Sequence, residues 1–94
     1  MATFIMLGKM SGESVKQISA QRSVDAQALI KKHGGELKSG FILLGQYDLI
    51  LTVEVPSVEH IVKISIGLSR LLGFTFITAQ AIEVDTFDKL VAEI

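Results

Sequence analysis

The sequence predicts an α+β domain in which four strands form one antiparallel sheet, two helices cover one of its faces, and a short helix closes the chain. Three observations predict it. Apolar and polar residues alternate over 47–55, the period-two pattern of a half-buried strand. Apolar residues recur at steps of three and four over 15–33 and 58–72, the helical period. Glycine, proline and serine fall between these segments, where turns and caps need them.

Residues 2–9 are rich in β-forming apolar side chains and end at Gly8-Lys9, giving a first strand. Ser11 is placed to cap a helix, with Glu13 in the first turn, where the helix dipole favours a negative charge. Val15, Ile18, Arg22, Ala26, Leu29 and His33 make one stripe along that helix. A kink or break is expected within 19–23, with Ser23 able to cap a second segment. Lys31-Lys32-His33 before Gly34-Gly35 is a strong stop: cations in the last turn, then glycine for a left-handed cap.

Residues 36–44 and 47–55 read as a hairpin of two strands around Gly45-Gln46, glycine supplying the positive φ of a tight turn. On the second of these strands Leu49, Leu51, Val53 and Val55 share the core side. Asp48, Ile50, Thr52 and Glu54 share a semi-polar side. Pro56-Ser57 ends that strand and opens a helix whose buried face is Val58, Ile61, Val62, Ser65, Leu68, Ser69 and Leu72, closed at Gly73. Residues 74–82 form the fourth strand. Asp85 to Asp88 begin a short helix carrying Phe87, Leu90, Val91 and Ile94. The order β-α-β-β-α-β is the split βαβ, or ferredoxin-like, arrangement, and one domain spans 1–94.

Two helices cover one face of a four-stranded sheet, so the other face needs a second cover. Hydrophobic residues make up 49% of the chain but aromatics only 6%, so the apolar content is largely aliphatic. A domain this small buries roughly 60–70% of its unfolded surface. Much aliphatic area therefore stays outside unless another copy covers it, which predicts a homodimer or a higher homo-oligomer. Nine Lys and Arg against ten Asp and Glu leave a net charge of -1. That balance argues against a nucleic-acid partner and against a polybasic membrane surface.

No apolar run approaches the length of a membrane span, and the first residues lack a basic leader, so a cytoplasmic location is expected. With no cysteine, disulfides, thiolate catalysis and Cys-based zinc sites are excluded. Neither a phosphate-binding glycine motif nor a nucleophile elbow occurs, and no cofactor is expected. His33 and His60 lie in different elements without ligand spacing, so no metal site is expected.

Four residues are candidates for binding. Arg22 lies in an apolar helical stripe, where an unpaired guanidinium is costly. It is expected to pair with Asp48 or Glu54, to snorkel along its stem at the helix kink, or to bind an anionic ligand with its planar fork. Tyr47 and Asp48 stand beside the hairpin turn, where Asp48 either bonds turn amides or meets a ligand at a cavity mouth. Glu54 either pairs with Lys9, Lys38 or Arg22 or lines the space between paired sheets. No catalytic residue is assigned. These features suit a module that binds or senses a small anionic molecule. The alternative these residues leave open is a purely structural scaffold.

Gly45-Gln46-Tyr47-Asp48, followed by Glu54-Val55-Pro56 at the far end of the same strand, resembles the GYD-domain family of small bacterial and archaeal proteins. Thr3, Arg22, Gly34-Gly35, Leu37, Phe41, Leu44, Gly73, Thr78 and Ala81 also fall where that family places them. Thr75 and Phe76 stand where many members carry an Arg and a Thr, and Ile82 replaces an aromatic. A ligand site built on that Arg is therefore altered here. The resemblance implies a dimeric α+β barrel, two ferredoxin-like sheets face to face, and no particular reaction; analogy with other barrels of that kind adds the alternative of a cofactor-independent enzyme, a monooxygenase or isomerase.

Overall fold

The computed structural model describes residues 1–94. The elements are β1 (Ala2–Met10), α1 (Gly12–Val15), α2 (Ala20–Lys32), β2 (Glu36–Ile42), β3 (Leu49–Val55), α3 (Val58–Leu72), β4 (Phe74–Ala81) and α4 (Val84–Ala92). The four strands form one sheet in the order β2-β3-β1-β4, with every neighbouring pair antiparallel. This is the predicted ferredoxin-like arrangement. The first and third strands are central because they are the most continuously apolar; the edges go to the two with polar or glycine breaks.

Strand alternation separates the two faces. Phe4 and Met6 of β1, with Leu51, Val53 and Val55 of β3, point to the helices and are buried. Ile30 of α2 and Ile61, Ile64, Leu68 and Leu72 of α3 complete that core. For β3 the predicted sides hold from Leu49 to Val55, whereas Tyr47 and Asp48 lie before the strand. For the helices the prediction is shifted. Ile30 is the buried residue of α2, whereas Val15 and Ile18 are exposed. In α3 the apolar band is wider than the stripe the sheet covers, so Ile64 is fully buried while Val58 and Val62 stay outside.

The break in the first helical region lies earlier than expected. Ser19, not Ser23, is the cap of α2: its backbone is extended, and its hydroxyl accepts from the Arg22 N–H at 3.3 Å. Ser23 is inside the helix. Ser11 caps α1 as expected, in a reciprocal pair with Ser14 at 2.8 and 2.9 Å. The 36–55 hairpin is looser than expected. β2 ends at Ile42 and β3 begins at Leu49, and Gly45 has no positive φ; that conformation falls at Gly34 and Gly73. Gly73, at φ 69°, ends α3 in the left-handed turn that lets β4 double back at once.

The reason lies in Asp48. Its N–H donates to the Gly8 carbonyl at 2.9 Å and its carbonyl accepts from the Leu43 N–H at 2.8 Å. Its carboxylate accepts from the Met10 N–H at 2.8 Å. A side chain that ties the loop to β1 removes the need for a tight two-residue turn.

The other face of the sheet carries Ile5 and Leu7 of β1, Ile50 of β3 and Ile77 of β4, with threonines beside them. No helix of the chain covers it. α4 starts at Val84, with Glu83 as its cap residue and no side-chain capping bond, and none of its residues is buried. No helix is long and apolar enough to cross a membrane.

Candidate functional site

A cleft of about 410 Å³ opens between α1–α2 and the helix-facing side of the sheet. Its floor is apolar, from Leu49 and Leu51 of β3, Leu37 of β2 and Phe74 at the start of β4. Ile18, Ala26 and Ile30 form the helical wall, where Ser14, Ser19, Ser23 and Gln27 supply hydroxyls and an amide. Arg22 is the one charged residue of the lining. The cleft exists because the α1–α2 break at 16–19 leaves the sheet uncovered at that end.

Arg22 is half-buried, and its partners are neither of the carboxylates expected from the sequence. One amino group donates to the Gln17 Oε1 at 2.7 Å, and the other to the backbone carbonyl of Leu71. Leu71 lies in the last turn of α3, where carbonyls have no helical partner and a cation meets the negative end of the dipole. The residue thus joins α2 to the end of α3. A guanidinium has five N–H donors. Those not spent on Gln17 and Leu71 make no hydrogen bond within the chain.

The other three candidates do not join it there. Asp48 holds the loop to β1, and Lys9 Nζ stands 3.5 Å from its carboxylate. Tyr47 is half-buried in the same loop and is not part of the cleft lining. Glu54 is on the open face, directly across from Glu36 of β2. Lys38, shifted by the irregularity between Leu37 and Ser39, lies 3.3 Å from Glu36 and 3.8 Å from Glu54 and offsets their repulsion. Lys38 was among the partners expected for Glu54.

His60, expected to be exposed, is half-buried with its Nδ1 2.7 Å from Ser57 Oγ. Glu59 beside it has its carboxyl held below the ordinary value of 4.5 by its own backbone N–H, then by the Ser57 hydroxyl, with the nearby His60 adding a smaller pull. No three His, Cys, Asp or Glu side chains come together in a metal-binding group. Sequence reasoning found Arg22 but not the cleft around it. The signal it lacked was the break at 16–19, which the Ser19-Ala20 cap position encodes.

A family model described as GYD domain matches residues 4–91. No curated protein matches the sequence. Among solved structures, the chain is similar to the leucine response regulatory protein LrpA of Mycobacterium tuberculosis. That similarity has a TM-score of 0.58 at 11% identity and covers 87% of this chain and 51% of that one. The chain therefore spans about half the length of that relative. It is also similar to FFRP-DM1, with a TM-score of 0.58 at 21% identity, over 87% of this chain and 100% of the other. At these identities the shared property is the fold.

Proposed function

This chain belongs to the GYD domain family, and we propose that it is a self-associating module that binds a small apolar carboxylate in the cleft beside Arg22. The observation that carries the reading is a lone guanidinium at the wall of an otherwise uncharged, largely apolar cleft. At about 410 Å³ the cleft is within the range of small-molecule sites. A ligand that fits has a branched or linear hydrocarbon body for Leu37, Leu51 and Phe74, and one carboxylate for Arg22. The name of the LrpA relative includes leucine, which has that hydrocarbon body and a carboxylate, and whose added ammonium would have to be met by the Ser19 and Ser23 hydroxyls and the Gln27 amide oxygen.

Self-association is supported by the surface. The isolated chain exposes 6355 Å², whereas a compact monomer of 10.2 kDa exposes about 5,300 Å². The excess of about 1,000 Å² is close to the ~800 Å² that each partner contributes to a standard interface. The radius of gyration, 14.4 Å, likewise exceeds the ~12.4 Å of a compact chain of this length. The open face around Ile5, Leu7, Ile50 and Ile77 is the surface a second sheet would cover. A cytoplasmic setting is part of the same proposal.

Thermal-shift titration with L-leucine, 4-methylpentanoate and isopentylamine tests the ligand reading. The two carboxylates raise the midpoint, the amine does not, and Arg22→Gln abolishes the difference. Equal effects of acid and amine, or none from either, would overturn it. A purely structural role is favoured by the Gln17 and Leu71 contacts of Arg22. It predicts that Arg22→Gln loses stability with no carboxylate effect to lose.

A further inference from the structure

We infer that α4 is a docking helix, and that its apolar stripe seats on the α3 flank of a second copy of this chain. Val84, Phe87, Leu90 and Val91 lie on one side of the helix at steps of three and four, and Ile94 follows just beyond its end. All are about half exposed or more, from 48% at Val91 to 103% at Ile94. A nine-residue helix without tertiary burial does not hold in water, because isolated helices shorter than about 12–15 residues are marginal. The helix therefore requires a surface that its own chain does not supply. The link from β4 is two residues, and Glu83 within it is extended at φ -68°, ψ 150°. No residue of α4 is buried against its own sheet.

The complementary surface is on α3. Val58, Val62 and Ile66, spaced four apart, are each about half exposed, on the side beyond the core residues Ile61, Ile64 and Leu68. Lys63 and Arg70, three residues before and four after Ile66, border this ledge; both are exposed, and neither makes an ion pair within the chain. Asp88 occupies the matching place on α4, four residues after Val84 and three before Val91. Residues 83–94 hold four carboxylates against one lysine, a net of -3 in a chain of -1, so residues 1–82 carry +2. Glu59, beside Val58 and four residues before Lys63, puts one carboxylate at the near end of the ledge, so the match in sign is between the acidic helix and the Lys63–Arg70 end. A second copy of the chain supplies the ledge.

The absence of cysteine makes a direct test possible. Two full-length proteins, Ile66→Cys and Leu90→Cys, are mixed with oxidised glutathione. The inference predicts a mixed disulfide in at least tenfold excess over either symmetric one, and no mixed disulfide would overturn it. In sedimentation, Asp88→Lys weakens self-association at least tenfold and Lys63→Asp in the same chain restores it. Equal dissociation constants for all three proteins would also overturn it, as would a monomeric unsubstituted chain. Loss of open-face pairing, produced by Ile50→Lys, leaves the mixed disulfide intact, so the two interfaces fail separately.

Discussion

Replacing Arg22 by Met keeps most of the stem against the cleft wall and removes the guanidinium. Its two protein hydrogen bonds go to neutral acceptors, the Gln17 side chain and the Leu71 carbonyl. Gln17 is exposed and regains water, so its share is small. The Leu71 carbonyl is at the end of α3 and part-buried, and losing a charged donor there costs about 1.5–3 kcal/mol before solvent screening. The residue is half-buried, which brings the expected loss to about 1–2 kcal/mol, with the lost dipole contact included. This is less than the about 3–5 kcal/mol that breaking a buried ion pair costs, because no carboxylate is stranded. Urea unfolding at one fixed protein concentration measures it, with Gln17→Ala beside it expected within about 0.5 kcal/mol. If Arg22→Met changed stability by less than about 0.3 kcal/mol, water would be satisfying Leu71 and the bridge between α2 and α3 would not exist.

Gly73→Ala places a side chain at φ 69° with room for it, the nearest atom being Ser14 Cβ at 3.4 Å. The cost is therefore conformational, about 1–2 kcal/mol by urea unfolding. Lys38→Met leaves Glu36 and Glu54 facing each other across β2 and β3, and lowers stability by about 0.5 kcal/mol at low salt. In high salt that loss shrinks, which double measurement at two ionic strengths detects. Glu59, held below 4.5 mainly by its own backbone N–H, contributes stability that is present above 4.5 and is lost as pH falls through its lower folded value. An NMR titration should place its midpoint below 4.5, and Ser57→Ala should move it back up; a midpoint at or above 4.5 would contradict the assignment.

The fold was legible where one physical rule acts on consecutive residues. β3 alternates because one of its faces is core, and Leu49 to Val55 state this without help from elsewhere. The stop at Gly34 and the end of α3 at Gly73 were legible because a left-handed turn has a strong residue preference. The loop at 43–48 was misread because Asp48 works through β1, some forty residues away in sequence. Arg22 was noticed as an anomaly from its stripe, but its partner is a backbone carbonyl, and no residue type at position 71 announces that. The apolar band of α3 was read as one buried face. It is two surfaces, a core side through Ile61, Ile64 and Leu68 and an exposed side through Val58, Val62 and Ile66, and only packing separates them.

Native mass spectrometry of gently purified protein tests most directly the claim that this is a self-associating module with an occupied cleft. The account predicts an assembly of two or more chains carrying an additional small mass, retained by Tyr47→Phe and lost with Arg22→Gln. A single chain at 10.2 kDa with nothing bound would contradict both halves of it.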